Sequence, residues 1–399
     1  MKRLAPLLLL SCLLLSGCSG GQEIESCLFV LSMAVDPAPG GNLTVTVKAL
    51  SGTQEATGSA SSGSGQPSAP DAGDTQSDGL SSSGLEEPEP GYIVMSATAP
   101  SCLRALTLLS ATTPRTVNLS QLREIVISRT LAETDATLTI LREIHAMYRA
   151  NGEAVVVVTP DDAGDFIRRQ RAILGVRLSK YLEVLFEHFS RLDVIPPGAH
   201  LASVIEAMES DIADAAVVYA AGNTFDSTLV LPGAPDTDRL PGHLPRTSPA
   251  ENEYLGSALF SGPRMTGVLT GEETGLLCLM MGRQQKRTVV IDGTQYGTTV
   301  RTRVRRALGR ADGALTVSVR MTLTRAAGEG GSPPGVLAAQ IEQRCAGVLQ
   351  KLQAASCDAV GFGRIAIRSA PDVPAWEARS WPEEYGRLPV RVTADVRLL

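Results

Sequence analysis

The stretch Leu315-Thr316-Val317-Ser318-Val319-Arg320-Met321-Thr322-Leu323 alternates apolar and polar residues without a slip. Successive strand side chains point to opposite faces, so Leu315, Val317, Val319, Met321 and Leu323 form a buried face. Residues 328–334, rich in glycine and proline, end the alternation, and residues 335–355 change period. There Leu337, Ile341, Cys345, Val348 and Leu352 recur at helical spacing, which predicts a long helix with one apolar face. A half-buried strand followed by a one-faced helix requires sheet and helix to cover each other. The chain's length sets an expectation of two or three domains.

Downstream, Asp358-Ala359-Val360-Gly361-Phe362-Gly363 predicts a tight turn into a strand over residues 364–368, with Gly361 and Gly363 supplying positive φ. Residues 388–398 alternate again and close the chain as a strand. Upstream, residues 254–260 and 264–269 predict two strands joined by Ser261-Gly262-Pro263. Thr270 caps a short helix over residues 275–281, with Glu272 and Glu273 placed to complement its dipole. Residues 288–292 and 300–306 predict strands, the second setting Arg301, Arg303 and Arg305 on one face. Such a row is either a solvated surface or, on a membrane-tethered protein, a contact for anionic lipid head groups.

In the first half, the run Cys27-Leu28-Phe29-Val30-Leu31 predicts a buried strand. Residues 42–50 predict a half-buried one, with Leu43, Val45 and Val47 inward and Thr44, Thr46 and Lys48 outward, after a hairpin over 37–41. Residues 51–90 carry Ser, Gly, Asp, Glu and Pro with almost no large apolar side chain, which predicts a disordered insertion. Strands follow at 92–95, 123–128, 153–159 and 215–221, and helices at 99–111, 134–150, 173–189 and 201–212. In the third helix Leu174, Leu178, Tyr181, Leu182, Leu185 and Phe189 share a face. His145 reads as a packed histidine on an apolar face. The paired Asp161-Asp162 reads as an acid–base pair or as a helix cap. The expected organisation is a leader over 1–17, an N-terminal α+β region over 18–222, a Pro-rich linker over 223–250 and a C-terminal α+β domain over 251–399.

Composition excludes several functions. A net charge of −6 with no long basic run gives no footprint for nucleic acid, and 4% aromatic residues argue against a stacking groove for sugars or bases. The four histidines are isolated, and no cysteines stand at CxxC spacing, so no cofactor or metal site is expected. Ser257 and Ser261 stand in no GxSxG context and no phosphate-binding glycine loop occurs, so the chain is expected not to be an enzyme.

The first eighteen residues set the compartment. Lys2 and Arg3 precede an apolar run over 4–15, and Leu15-Ser16-Gly17-Cys18 ends it with small residues before a cysteine. The run is too short for a bilayer span of roughly 20 residues. The reading is a lipoprotein signal cleaved between Gly17 and Cys18, with diacylglycerol on the Cys18 sulfur. An ordinary signal peptide is the alternative, and Cys12 is a poorer lipidation site because little apolar run precedes it. Two acyl chains anchor stably where one holds marginally, so the rest of the chain is expected outside the cytoplasmic membrane.

Several motifs in order carry a resemblance. Tyr254-Leu255-Gly256-Ser257-Ala258-Leu259-Phe260, the run from Met265 through Thr270-Gly271-Glu272-Glu273-Thr274 to Leu277, and Cys357-Asp358-Ala359-Val360-Gly361-Phe362-Gly363 resemble the Ger(x)C family of spore germination lipoproteins. Trp376, Trp381-Pro382-Glu383-Glu384-Tyr385 and Leu388-Pro389-Val390-Arg391-Val392 are similar to its closing segment. The chain departs from the family in carrying Ser19, where a tryptophan usually follows the lipidated cysteine, and in its 51–90 insertion. The resemblance implies the C subunit of a nutrient germinant receptor, working beside membrane A and B subunits on the outer face of the spore inner membrane. It implies an α+β fold of several subdomains, mixed β-sheets with packed helices, and no enzymatic activity or cofactor. A solute-binding lipoprotein of a transporter shares the anchor and is the alternative.

Overall fold

The computed structural model describes residues 24–51, 91–148, 150–191, 195–224, 240–244, 251–282, 288–291, 294–309, 312–325 and 332–398. The first sheet is built from β1 (Cys27–Ala38), β2 (Asn42–Leu50), β3 (Tyr92–Ala99), β4 (Thr116–Asn118), β5 (Glu124–Ser128), β6 (Val155–Thr159), β7 (Ala216–Gly222), β8 (Asn252–Ser261) and β9 (Arg264–Leu269). Its order is β3-β2-β1-β5-β6-β7-β8-β9, with β4 beside β1. The central strands β1, β5, β6 and β7 run parallel, while β2, β3, β8 and β9 add antiparallel pairs at the flanks.

Helices cover both faces of this sheet, which is why β5 and β6 read as unbroken apolar runs rather than alternations. On one face lie α1 (Cys102–Ser110), α2 (Arg129–Ala132), α3 (Ala136–Tyr148) and α6 (Leu201–Glu209), burying Leu106, Ile144 and Val204 among others. On the other lie α4 (Ala163–Arg169) and α5 (Leu178–Arg191), burying Phe166, Leu182 and Phe186. Asp162 caps α4 by accepting the Asp165 N–H at 2.8 Å, so the cap reading of the Asp161-Asp162 pair holds for Asp162.

Two sequence expectations change here. The expected outward face of β2 is covered: Thr46 and Lys48 are buried beneath α4 and the residues after it. Lys48 donates to the Gln170 carbonyl. Gln170 in turn donates to Glu124 at 2.6 Å, and Tyr254 donates to Glu124 at 3.1 Å, so one buried polar network joins β2, β5 and β8. Helix α5 begins at Leu178, not near 173, and Leu174 is 67% exposed. Gly175 at φ +34° interrupts the helical path before it.

The second sheet, β10 (Thr288–Ile291), β11 (Thr294–Leu308), β12 (Leu315–Arg325) and β13 (Val390–Leu398), is ordered as written. β13 runs parallel to β12, from Leu315 beside Val390 to Leu323 beside Leu398. Its inner face packs on α8 (Pro334–Ala354), whose Leu337, Ile341, Cys345, Val348 and Leu352 are all buried as the spacing predicts. α7 (Gly271–Met280) joins the same core and starts at a reciprocal capping box, Thr270 with Glu273, four residues earlier than expected.

The expected boundary at 223–250 separates sequence segments whose strands share a sheet. β8 and β9, beyond that boundary, extend the first sheet by antiparallel pairing of β8 to β7. Leu259 and Leu269 from these strands lie in the core of the second sheet, so the two halves meet in shared apolar contact. The insertion over 51–90 falls, beyond Ser51, outside the described residues.

Candidate functional site

Cys18 and the leader lie outside the described residues, as do residues 225–239 and 245–250 of the expected linker. Among the described residues no group of three or more His, Cys, Asp or Glu could hold a metal, and no helix is long and apolar enough to cross a membrane. Cys27, Cys102, Cys278, Cys345 and Cys357 are buried thiols outside any disulfide. Ser257 is fully buried and shares a hydrogen bond with Thr274 at 2.9 Å, a packing role within the β8–α7 contact.

The chemistry that stands out lies where the two sheets meet, in the turn after α8. Asp358 is 1% exposed, and its carboxylate gathers the backbone N–H groups of Gly361 and Phe362 at 2.9 Å and of Gly363 at 2.6 Å. The Trp381 indole N–H donates to the same carboxylate at 3.1 Å. Burial raises this carboxyl to about 7, against the opposing pull of the N–H groups, which favour the ionised form. Gly361 adopts φ +80°, as the turn requires. Gly363 serves a different end. A Cβ there would stand 2.5 Å from the Ile212 carbonyl oxygen and 2.7 Å from the Trp381 indole nitrogen, so it is close approach that demands glycine.

The strand expected over 364–368 is absent. The chain forms a single helical turn, α9 (Gly363–Ala366), followed by a 3-10 turn, Ile367–Ser369. The apolar alternation of Ile365 and Ile367 reads as a strand in sequence, but three consecutive N–H groups converging on one carboxylate set the backbone into a helical start instead.

Neighbouring carboxylates tie this turn to the first sheet. Asp214, just before β7, accepts the N–H of Asp358 at 2.8 Å and of Gly262 at 3.0 Å. Desolvation raises the Asp214 carboxyl too. Asp211 accepts the Trp376 indole N–H at 2.7 Å. Trp376 on α10 (Val373–Glu377) and Trp381 on α11 (Trp381–Tyr385) stack near each other, and the Arg379 guanidinium lies 5.9 and 5.7 Å from their ring centres. A fork of Arg379 on Glu384 holds that guanidinium in place, at 2.5 and 2.6 Å. Both tryptophans of the closing segment therefore donate to carboxylates, one on each side of the junction.

Beside this turn opens a cavity of about 700 Å³, bounded by α6, the strand start at Ala215 and Ala216, and the Val360–Gly361 turn. Arg306, Arg364 and Arg368 line it. Of the arginine row read from sequence, Arg303 and Arg305 stand exposed on the outer face of the second sheet; the Arg301 side chain lies outside the described residues. Arg306, on the inner side, donates to the Val360 carbonyl. Sequence reasoning singled out Asp358, Gly361, Gly363 and both tryptophans as a family pattern, but not Asp211, Asp214, Arg306 or Arg364. Those four are ordinary surface-type residues in the sequence, and nothing in their spacing marks them.

Comparison with known proteins bears on this junction directly. Residues 20–221 match the family model described as spore germination protein N-terminal domain, and residues 335–399 match the one described as spore germination B3/GerAC like, C-terminal. Among solved structures the chain is similar to the crystal structure of the GerBC protein. The identity is 12%, the TM-score is 0.50, and the match covers 92% of this chain and 96% of that one. At that identity the likeness is one of fold. No curated protein sequence matches.

Proposed function

Since the chain belongs to the GerAC-like family of spore germination proteins, we propose that it is the C subunit of a nutrient germinant receptor, anchored through diacylglycerol on Cys18 to the outer face of the spore inner membrane. In this reading it has no catalytic step. It supports the assembly of membrane A and B subunits, so that nutrient sensing leads to germination. The observation that carries the reading is the match of both family domains in order along one chain, at residues 20–221 and 335–399. The junction supports it physically. A protein that holds partners needs a rigid body, and the Asp211, Asp214 and Asp358 contacts lock the two sheets together without using any group as a nucleophile or base.

The test is an affinity pull-down of the tagged, membrane-extracted protein from spores, followed by mass spectrometry. Recovery of multi-pass A- and B-type subunits is the expected result. Recovery alone, or with a permease and an ATPase, would overturn it and favour the solute-binding reading. The anchor is tested separately: Cys18→Ala should leave the membrane fraction on carbonate washing while its folded domains stay intact. Full retention would refute a single lipid anchor.

A further inference from the structure

Three guanidiniums share the wall of the junction cavity, and none of them meets a carboxylate in an ion pair among the described residues. Arg306 reaches only the Val360 carbonyl, while Arg364 and Arg368 project from the turn that follows Asp358. Gly361 brings two of them together. The point where a Cβ on Gly361 would stand lies 3.6 Å from Arg364 Cδ and 4.0 Å from Arg306 Nη1, in ordinary van der Waals contact with both side chains. Partial desolvation lowers the Arg306 pKa and the Arg364 charge adds to it, while the Asp358 carboxylate behind the turn pulls the other way. Of the acids on the same walls, Asp214 already spends its oxygens on the Gly262 and Asp358 N–H groups, and Glu206, like the three arginines, is open to solvent.

Arg306 and Arg364 repel each other, and an anion between them relieves that repulsion. Guanidinium forks match the planar or tetrahedral oxygens of carboxylate and phosphate, each offering two parallel N–H donors. The cavity falls within the roughly 300–1,000 Å³ of ordinary small-molecule sites, and it lies between two subdomains, where such sites are common. We propose that this cavity binds a small multivalent oxyanion, phosphate or polycarboxylate, clasped by Arg306 and Arg364 with Arg368 at the mouth. The site is independent of the receptor reading: it needs only the fold. Its occupant would bridge β11 of the second sheet and the turn that is fastened to the first, so binding would stiffen the junction.

The experiment is isothermal titration calorimetry on the detergent-solubilised full chain in low-chloride buffer, with inorganic phosphate in one arm and citrate in the other. Saturable binding in either arm is expected, and the arm that responds assigns the phosphate or the carboxylate source. Arg364→Gln should weaken it about tenfold or more, Arg306→Gln likewise, and the pair together should abolish it. Arg303→Gln, on the exposed outer face, should leave affinity within about twofold. Near-ultraviolet circular dichroism checks that each variant keeps its packed tryptophans. Absence of saturable binding by both probes up to ~10 mM, a free energy below about 3 kcal/mol, would overturn the proposal. So would binding that Arg306→Gln and Arg364→Gln leave unchanged.

Discussion

Asp358→Asn is the substitution that reads the junction most directly. The wild-type carboxyl is held by burial at about 7, against an ordinary value of 3.8 in the unfolded chain. A folded-state value raised above the unfolded one means that the stabilising contribution of this group is fully present below about pH 4. It is lost as the pH rises through about 7. Roughly three pH units at about 1.4 kcal/mol each amount to some 4 kcal/mol. An asparagine has no such titration and turns an N–H2 toward donors that want an acceptor, so the variant is less stable than wild type in acid. As the pH rises from 4 to 7, the gap between the two should narrow by about 4 kcal/mol. Both of the chain's tryptophans sit at this junction, so urea unfolding of the detergent-solubilised chain, followed by their fluorescence at several pH values, reports the site itself. Titrating groups that do not interact with Asp358 are common to both proteins and cancel. A stability gap that stays flat over this range would refute a buried, protonatable Asp358.

Other substitutions separate the physical roles of neighbours. Gly361→Ala meets a left-handed backbone with only ordinary van der Waals contacts around it and should cost about 1–2 kcal/mol. Gly363→Ala drives a methyl into the Ile212 carbonyl and the Trp381 indole, so it should cost about 1–3 kcal/mol and shift the tryptophan emission, which Gly361→Ala should not do. Equal effects on emission would remove the distinction. Lys48→Met removes the buried ammonium that donates to the Gln170 carbonyl and lies in the field of Glu124, and should lower stability by about 1–3 kcal/mol. Combined with Glu124→Gln the loss should shrink, and thermal unfolding of the two single variants and the double variant checks the coupling.

Much of the fold was legible because its signals are local. The alternation over 315–323 and the helical spacing over 335–355 survive as β12 and α8, since a strand or helix buries one face whatever its partner. The cap segment Thr270 to Thr274 was legible for the same reason, although the helix it opens begins at Gly271 rather than at 275 and the reciprocal box appears only in the structure. Where an apolar pattern was ambiguous, the reading failed. Ile365 and Ile367 alternate as a strand would, but the carboxylate of Asp358 decides their conformation from outside the pattern. Thr46 and Lys48 read as a wetted face, and only α4 lying over them makes that face interior.

The candidate site was half legible. Asp358 with its two glycines and the two tryptophans could be picked out, because the turn and its donors are written within one short segment. Their partners could not. Asp211 and Asp214 lie more than a hundred residues away in the chain from the groups they hold, and no local period encodes such a meeting.

By itself, the sequence determined most of the strands and helices and their apolar faces, and set the expectation of a lipoprotein leader over 1–17 ahead of Cys18. Those follow from side-chain polarity and spacing along a chain, which need no knowledge of neighbours. Only the tertiary structure decided that β8 and β9 join the first sheet, that Gly363 is a contact glycine, and that Arg306 and Arg364 face one cavity. Pairing order, close approach and the meeting of like charges are properties of distance in space, and the chain brings those residues together only once both sheets have packed.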